Sequence, residues 1–331
     1  MRVLWTHNFD PQRPGAQAFM NTAAEGVRSR GLHLEVEYLG NLRSVRRLWM
    51  ARKRIRLLST DFDLVHAQYG SACSLATAGV AGIPKVLSIR GNDWSVHQGN
   101  GGFHYVHTRL ARGMTRLSIG AYDCVLPVSQ RMATELRRVA PGARVDALPT
   151  PIDLGRFVPR DKAQLRADLG FPGCSEKWIL FNAVRLDDPI KRFRLAQRAF
   201  DLANGRRGDL RLRIATDLPH ATVPAFTAAC DLILCTSETE GWPNSVKEAL
   251  ACNVPFVSTD VSDLREIAKV EPSCRICSPD PVALADGICE ALSITGASDL
   301  RRHVMTMSVD AVTERLVEIY HELLSIHRCA S

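Results

Sequence analysis

Two carboxylates, Glu240 and Glu248, stand with seven residues between them inside the stretch Cys235–Ile267. Glu240 comes just before a Gly241-Trp242-Pro243 turn, and Glu248 falls in the first turn of the helical stretch Asn244–Cys252. An apolar run, Leu232–Leu234, precedes them and another, Pro255–Ser258, follows, as buried parallel strands do. The order is strand, loop, helix, strand. The loop then lies at the carboxyl end of the first strand, where open α/β sheets bind their ligands. The backbone N–H groups around Trp242–Ser245 open a helix N-terminus, which suits an anion such as a diphosphate. Carboxylates only accept hydrogen bonds, so the two acids suit neutral sugar hydroxyls. A diphosphate joined to sugars is a nucleotide-sugar. A plainer reading uses the same residues: Ser245-Val246-Lys247-Glu248 as a capping box that ties off its own helix, and Glu240 as a surface acid.

A site of this kind needs parallel strands with helical crossovers, and the chain offers them from its start. Met1–Phe9 reads as a strand, Asp10–Gly15 as a loop, Ala16–Arg30 as a helix stopped by Gly31, and His33–Tyr38 as a second strand. Short β-branched runs recur at Asp63–Ala67, Lys85–Arg90, Asp123–Val128 and Arg144–Leu148, with helical stretches between them. This βαβα alternation predicts a parallel sheet with right-handed crossovers. Leu148–Pro159 holds Pro149, Pro151 and Pro159, so it is neither regular helix nor central strand, and the break between domains is expected there. Trp178–Val184 opens a second α/β set. The expected division is residues 1–155, residues 156–308, and a final amphipathic helix from 309.

At 331 residues the chain exceeds what one core usually fills. Its composition, 46% hydrophobic and 23% charged, is that of a folded globular protein. The net charge of +7 is uneven: residues 1–150 hold 20 Lys and Arg against 10 Asp and Glu, and the remainder holds 22 against 25. The amino-terminal half therefore favours an anionic partner. Seven cations and no acid fall within Arg43–Arg56, with Trp49 and aliphatic residues at roughly helical spacing. A solvated helix face and a helix lying on an anionic membrane both fit. No basic groove lined with aromatics suggests nucleic acid. Ten scattered cysteines fit free thiols and a reducing cytoplasm; Cys274 and Cys277, three apart on a strand, face opposite ways and do not form a zinc knuckle. No signal peptide or membrane span is expected. His97, His104 and His107 read as packing or solvated side chains, and Trp94–Gly102 as a mobile acceptor loop. GxGxxG after a strand and GxxxxGK[ST] are both absent, which removes motif support for dehydrogenases and P-loop enzymes.

Glu240-Gly-Trp-Pro, followed by Glu248-Ala-Leu-Ala-Cys and Val-Pro-Phe-Val-Ser, resembles the E-x7-E signature of the retaining family 4 glycosyltransferases, which have the GT-B fold. Tyr122–Ser129 resembles another segment of that family, and Pro14-Gly15 its glycine loop, with Ala16 where a second Gly is usual. The resemblance implies two Rossmann-like parallel-sheet domains facing a central cleft, with the final helix packing back towards the first domain. It implies that Glu240 touches the donor sugar, that Glu248 holds the ribose, and that Arg185 and Lys191 clamp the diphosphate. Gly15, Gly241, Trp242, Pro243, Asn244 and Ser245 would complete the donor site. Arg90, in Ile89-Arg-Gly-Asn-Asp93, stands where the family usually has a histidine. An arginine cannot serve as a general base, but it can offer charge to a leaving diphosphate. One strand–helix unit that grips the nucleotide base in the family is missing between Leu210 and Asp231.

The implied activity is retaining hexosyl transfer from a nucleotide-sugar to a hydroxyl acceptor, without a metal or other cofactor. The acceptor would be a bacterial surface glycan, such as exopolysaccharide or lipopolysaccharide, or its lipid-linked precursor. The expected setting is the cytoplasm, with Arg43–Arg56 against the inner face of the membrane. Two other readings stay open: a nucleotide-sugar-binding protein without transfer activity, and a GT-B sugar-nucleotide epimerase.

Overall fold

A computed structural model of the protein describes residues 1–9, 17–97, 102–216, 218–219, 221–294, 296 and 299–330. It divides into two compact units, Met1–Pro151 with Val309–Ser331, and Ile152–Ser308.

The first unit is built on β1 (Arg2–His7), β2 (His33–Tyr38), β3 (Leu64–Ala67), β4 (Lys85–Ile89) and β5 (Cys124–Pro127). They form a parallel sheet in the order β2-β1-β3-β4-β5. Strands β3 and β5 are buried at every position, which is why they read as short apolar runs without alternation. The expected strand at Arg144–Leu148 does not form. That segment runs beside β5 through a single bridge at Val145, with backbone bonds such as Leu148 N to Pro127 O at 2.8 Å.

The helices of this unit are α1 (Ala18–Ser29), α2 (Val45–Leu58), α3 (Ser71–Thr77), α4 (Gly102–Ile119) and α5 (Gln130–Val139). The connection from β1 to β2 moves in one direction across the sheet, and those from β2 to β3, β3 to β4 and β4 to β5 move in the other. Right-handed crossovers therefore place α1 on one face and α2, α3 and α4 on the opposite one. Consistent with this, α3 packs against both α2 and α4.

The second unit contains α6 (Lys162–Asp168), β6 (Lys177–Asn182), α7 (Phe193–Arg207), β7 (Leu210–Ala215), α8 (Val223–Ala228) and β8 (Leu232–Cys235). It continues through α9 (Asn244–Ala251), β9 (Phe256–Thr259), α10 (Leu264–Ala268), β10 (Arg275–Cys277) and α11 (Pro281–Ser293). Its sheet is also parallel, in the order β10-β9-β8-β6-β7. Among the described residues only α8 intervenes between β7 and β8, so the connection is short, as its sequence suggests.

The last helix, α12 (Val309–Ala330), packs on α1 in the first unit. Its Leu316, Ile319, Tyr320 and Leu323 join the core formed by Val3, Trp5, Met20 and Val27. The approach is close: a Cβ on Gly26 would lie 2.6 Å from Thr313 Cγ2. Polar bonds lock the same contact. Trp5 Nε1 donates to the Tyr320 hydroxyl at 2.9 Å, that hydroxyl lies 2.6 Å from His66 Nδ1, and His66 Nε2 lies 2.9 Å from Ser88 Oγ. Burial, together with the charge of Arg90, holds the His66 imidazole neutral, well below its ordinary range. Removing one member of such a buried chain strands the next donor. Tyr320→Phe leaves Trp5 Nε1 and one His66 nitrogen without partners and is expected to cost about 1–3 kcal/mol. Urea unfolding of the variant, followed by tryptophan fluorescence, checks this.

Candidate functional site

In the second unit the connections leave β6 and β8 in opposite directions, towards β7 and β9, so the crevice beyond their carboxyl ends is a topological switch point. Two loops meet there. Glu238 N donates to Ile190 O at 2.8 Å, and Thr236 Oγ1 donates to Lys191 O at 2.7 Å. Arg192 completes the tie by donating to Thr236 O at 2.7 Å and to Ser237 O at 2.6 Å. It does so from a left-handed backbone, φ 51°, which a non-glycine residue adopts at a cost of about 1–2 kcal/mol.

This arrangement brings Lys191 Nζ to 2.6 Å from Glu240 Oε1, on which Ser237 Oγ also converges at 2.8 Å. Burial alone would lower the Lys191 ammonium, but the Glu240 carboxylate outweighs it and the net displacement is upward. Lys191 is therefore a fixed cation. One of its three donors is spent on Glu240, which leaves two for an incoming anion.

The loop after Glu240 is held by Ser262 Oγ, which donates to Gly241 O at 2.7 Å. Gly241, Trp242 and Pro243 are buried, and the Trp242 ring lies over Lys247, whose Nζ is 5.5 Å from the ring centroid. Trp242 therefore shapes the loop from within. Helix α9 starts two residues earlier than a capping box requires: Pro243 is its N-cap, and no side chain caps it. Asn244 is exposed and Ser245 half-buried at this open start.

Glu248 consequently lies in the second turn of α9, not the first, and is not bonded back to the helix start. No hydrogen bond to its carboxyl occurs among the described residues. Burial pushes its pKa up to about 7, against the opposing charges of Lys247 and Arg156.

The first unit has its own switch point, between β1 and β3. His7 ends β1, and burial lowers its pKa to about 4. Arg90, at the end of β4, is half-buried. Its guanidinium donates to Gln68 Oε1 at 2.7 Å and lies 4.7 Å from the Phe19 ring centroid. Burial lowers its pKa to about 10, so it stays charged at neutral pH. Asp93 ties the two loops together by accepting from Gly70 N at 2.8 Å, Gly91 N at 2.8 Å and Arg90 N at 3.0 Å. Gly70 is demanded by this closeness, since a Cβ there would lie 2.6 Å from Thr115 Oγ1. Trp94, expected on a mobile loop, is instead 1% exposed and donates to Glu135 Oε2 at 3.0 Å.

A family model described as Glycosyltransferase Family 4 matches residues 3–156, and one described as Glycosyl transferases group 1 matches residues 201–293. The chain belongs to the family 4 glycosyltransferases of GT-B fold. A teichuronic acid biosynthesis glycosyltransferase of Bacillus subtilis, TuaC, is 26% identical over 245 residues, covering 68% of this chain and 60% of that protein. The chain thus matches less than two-thirds of that relative's length. Sucrose-phosphate synthase from Thermosynechococcus elongatus shares the fold with a TM-score of 0.75 at 14% identity, over 98% of this chain and 100% of that one. Anabaena HepE in complex with UDP and glucose gives 0.70 at 18%, again over 98% and 100%.

Of the residues the family motif singles out, Lys191 and Glu240 are brought together, with Asn244 and Ser245 at the open start of α9 a few residues beyond. Arg185 is not paired with Glu240: it is exposed and holds Asp187, with Nε 2.9 Å from Oδ1. Gly15 lies outside the described residues. Arg192, Asp93 and Arg156 were missed by the motif reading. The adjacent cations Lys191-Arg192 and the turn-forming Gly91-Asn92-Asp93 were the available signals.

The raised Glu248 pKa has a consequence for stability. The folded protein keeps this proton to about pH 7, whereas the unfolded chain loses it near 4.5. Stability contributed by the neutral form is complete below the lower value and is lost as pH rises to the upper one. Glu248→Gln, which mimics the neutral acid, is expected to leave thermal stability unchanged at pH 4. At pH 8 it should raise stability by on the order of 1–3 kcal/mol. Scanning calorimetry of both proteins across that range checks the sign.

Proposed function

We propose that this chain is a metal-independent, retaining glycosyltransferase that moves a hexosyl group from a nucleotide-sugar to a hydroxyl of a cell-surface glycan or its lipid-linked precursor. The observation that carries the reading is the half-buried Lys191–Glu240 pair, 2.6 Å apart at the β6–β8 switch point, beside a helix start that no side chain caps. A cation and an acid fixed side by side match a substrate with a diphosphate on one side of the scissile bond and sugar hydroxyls on the other.

In the proposed step the bond between the anomeric carbon and the diphosphate oxygen breaks while the acceptor oxygen bonds to the same face of that carbon. The acceptor's proton passes to the departing phosphate oxygen. Lys191 and the N–H groups of Asn244 and Ser245 hold the diphosphate, and Glu240 orients the donor sugar. Glu248, ionised on binding, accepts from the ribose hydroxyls. Arg185 exchanges Asp187 for phosphate. Arg90, charged at neutral pH, cannot take a proton in such a step. A cation about 4 Å from phosphate is worth about 4 kcal/mol at an effective dielectric near 20. Expressed only on the leaving group, that approaches a thousandfold in rate. UDP, held by Anabaena HepE, is the first nucleotide to test, and a cell-wall polymer acceptor follows the name of the Bacillus subtilis relative.

A second reading, donor binding without transfer, is favoured by Arg90, whose guanidinium is already committed to Gln68 where the family usually carries a histidine. Release of nucleoside diphosphate on addition of acceptor, in the presence of EDTA, separates the two.

Glu240→Ala is expected to cut transfer at least about a hundredfold while retaining nucleoside diphosphate affinity. Lys191→Ala is expected to weaken that affinity by about tenfold or more. Calorimetric titration and a coupled diphosphate-release assay measure both. Wild-type turnover in Glu240→Ala would remove the assignment.

A further inference from the structure

We propose that helices α2 and α4 together form one docking face for an anionic lipid bilayer. They lie on the same side of the first sheet, with the short, largely buried α3 packed between them. Among the described residues, eight of the eighteen exposed large apolar side chains belong to these two helices. On α2 they include Trp49, Met50 and Leu57, while only Ala51 and Ile55 are buried. On α4 Val106, Leu110 and Leu117 recur at helical spacing on the outer side, opposite the buried Thr108, Ala111 and Thr115.

The charge of this face has one sign. Helix α2 carries six Lys and Arg and no acid, and α4 adds exposed Arg109 and Arg116, also without an acid. Among the described residues Arg54 is held by a neighbouring acid, Glu37 at 2.6 Å. Exposed apolar side chains interleaved with cations suit lipid headgroups over acyl chains, where both kinds of group find a partner. A nucleic acid would satisfy the cations but leave Leu110 and Leu117, 61% and 80% exposed, against water or phosphate. Among the described residues no helix is long and apolar enough to cross a membrane, so the contact proposed is peripheral. The proposal rests on exposure and charge, and it stands whether or not the transfer reading holds.

Trp49 supplies a selective probe, because it is 62% exposed while the other four tryptophans are at most 6% exposed. The full chain is mixed with vesicles of phosphatidylcholine, with and without phosphatidylglycerol, and both sedimentation and tryptophan emission are followed. Expected are co-sedimentation and a blue shift with the anionic vesicles only, both falling as salt is raised. Trp49→Phe should abolish the shift while co-sedimentation persists. Lys53→Glu with Arg56→Glu, and separately Leu110→Ser with Leu117→Ser, should each lower partitioning by about tenfold or more. These side chains are exposed, and an unchanged thermal transition confirms folding. Equal binding to neutral vesicles, absence of binding, or binding to duplex DNA in place of vesicles would overturn the proposal. Loss in the α2 variant with none in the α4 variant would overturn the two-helix face.

Discussion

Everything in the second unit's crevice depends on one ion pair being held in place by backbone. Lys191 and Glu240 belong to different loops, and each loop alone could adopt many conformations. Bonds from Glu238 N, Thr236 Oγ1 and the Arg192 guanidinium fix the Lys191 backbone against the end of β8. Once it is fixed, the Lys191 side chain has a short reach to Glu240. Even a half-buried ion pair is a poor stabiliser when judged against apolar packing, because desolvation offsets much of the attraction. Its retention here, with Arg192 in a strained backbone, is better understood as positioning than as stability.

Much of the fold could be read from the chain because parallel α/β units announce themselves locally. Buried strands such as Leu232–Cys235 are short apolar runs, and the helices between them are set off by stop signals such as Gly31. The failures came where local pattern and tertiary setting disagreed. Ser245–Glu248 has the residues of a capping box, yet Pro243 starts the helix two positions earlier and leaves Glu248 unattached. Trp94 precedes a Gly-rich segment and reads as part of a flexible loop, but its indole is taken up by Glu135 and Arg112. Arg144–Leu148 has strand-like residues but makes only one bridge to β5.

The site was partly readable for a different reason. Glu240, Lys191 and Asn244 belong to a spaced pattern that survives in one dimension. Arg192 does not, since its role rests on a backbone angle and on two carbonyls more than forty residues away. The apolar stripe of α4 was equally hidden: Val106, Leu110 and Leu117 look like core positions until α4 is seen to seat itself through Thr108, Ala111 and Thr115. Exposure depends on which face of a helix the sheet takes, and sequence periodicity gives two faces without saying which.

Three carboxylates in the two units show how differently the same group can be treated. Asp93 is fully buried and accepts from three backbone N–H groups, so it works as a loop staple. Glu240 is met by an ammonium and a hydroxyl, a neutral arrangement that, among the described residues, spends one of the three donors on Lys191. Among the described residues nothing bonds Glu248, and its pKa rises to about 7. A protein that satisfies the first two so completely has the means to satisfy the third, and an apolar or amide side chain there would stabilise the free state. A carboxyl kept at such a cost is most simply explained by a donor that arrives with a ligand. Hydroxyl groups would fill that role and favour the ionised form, so binding should release a proton near neutral pH.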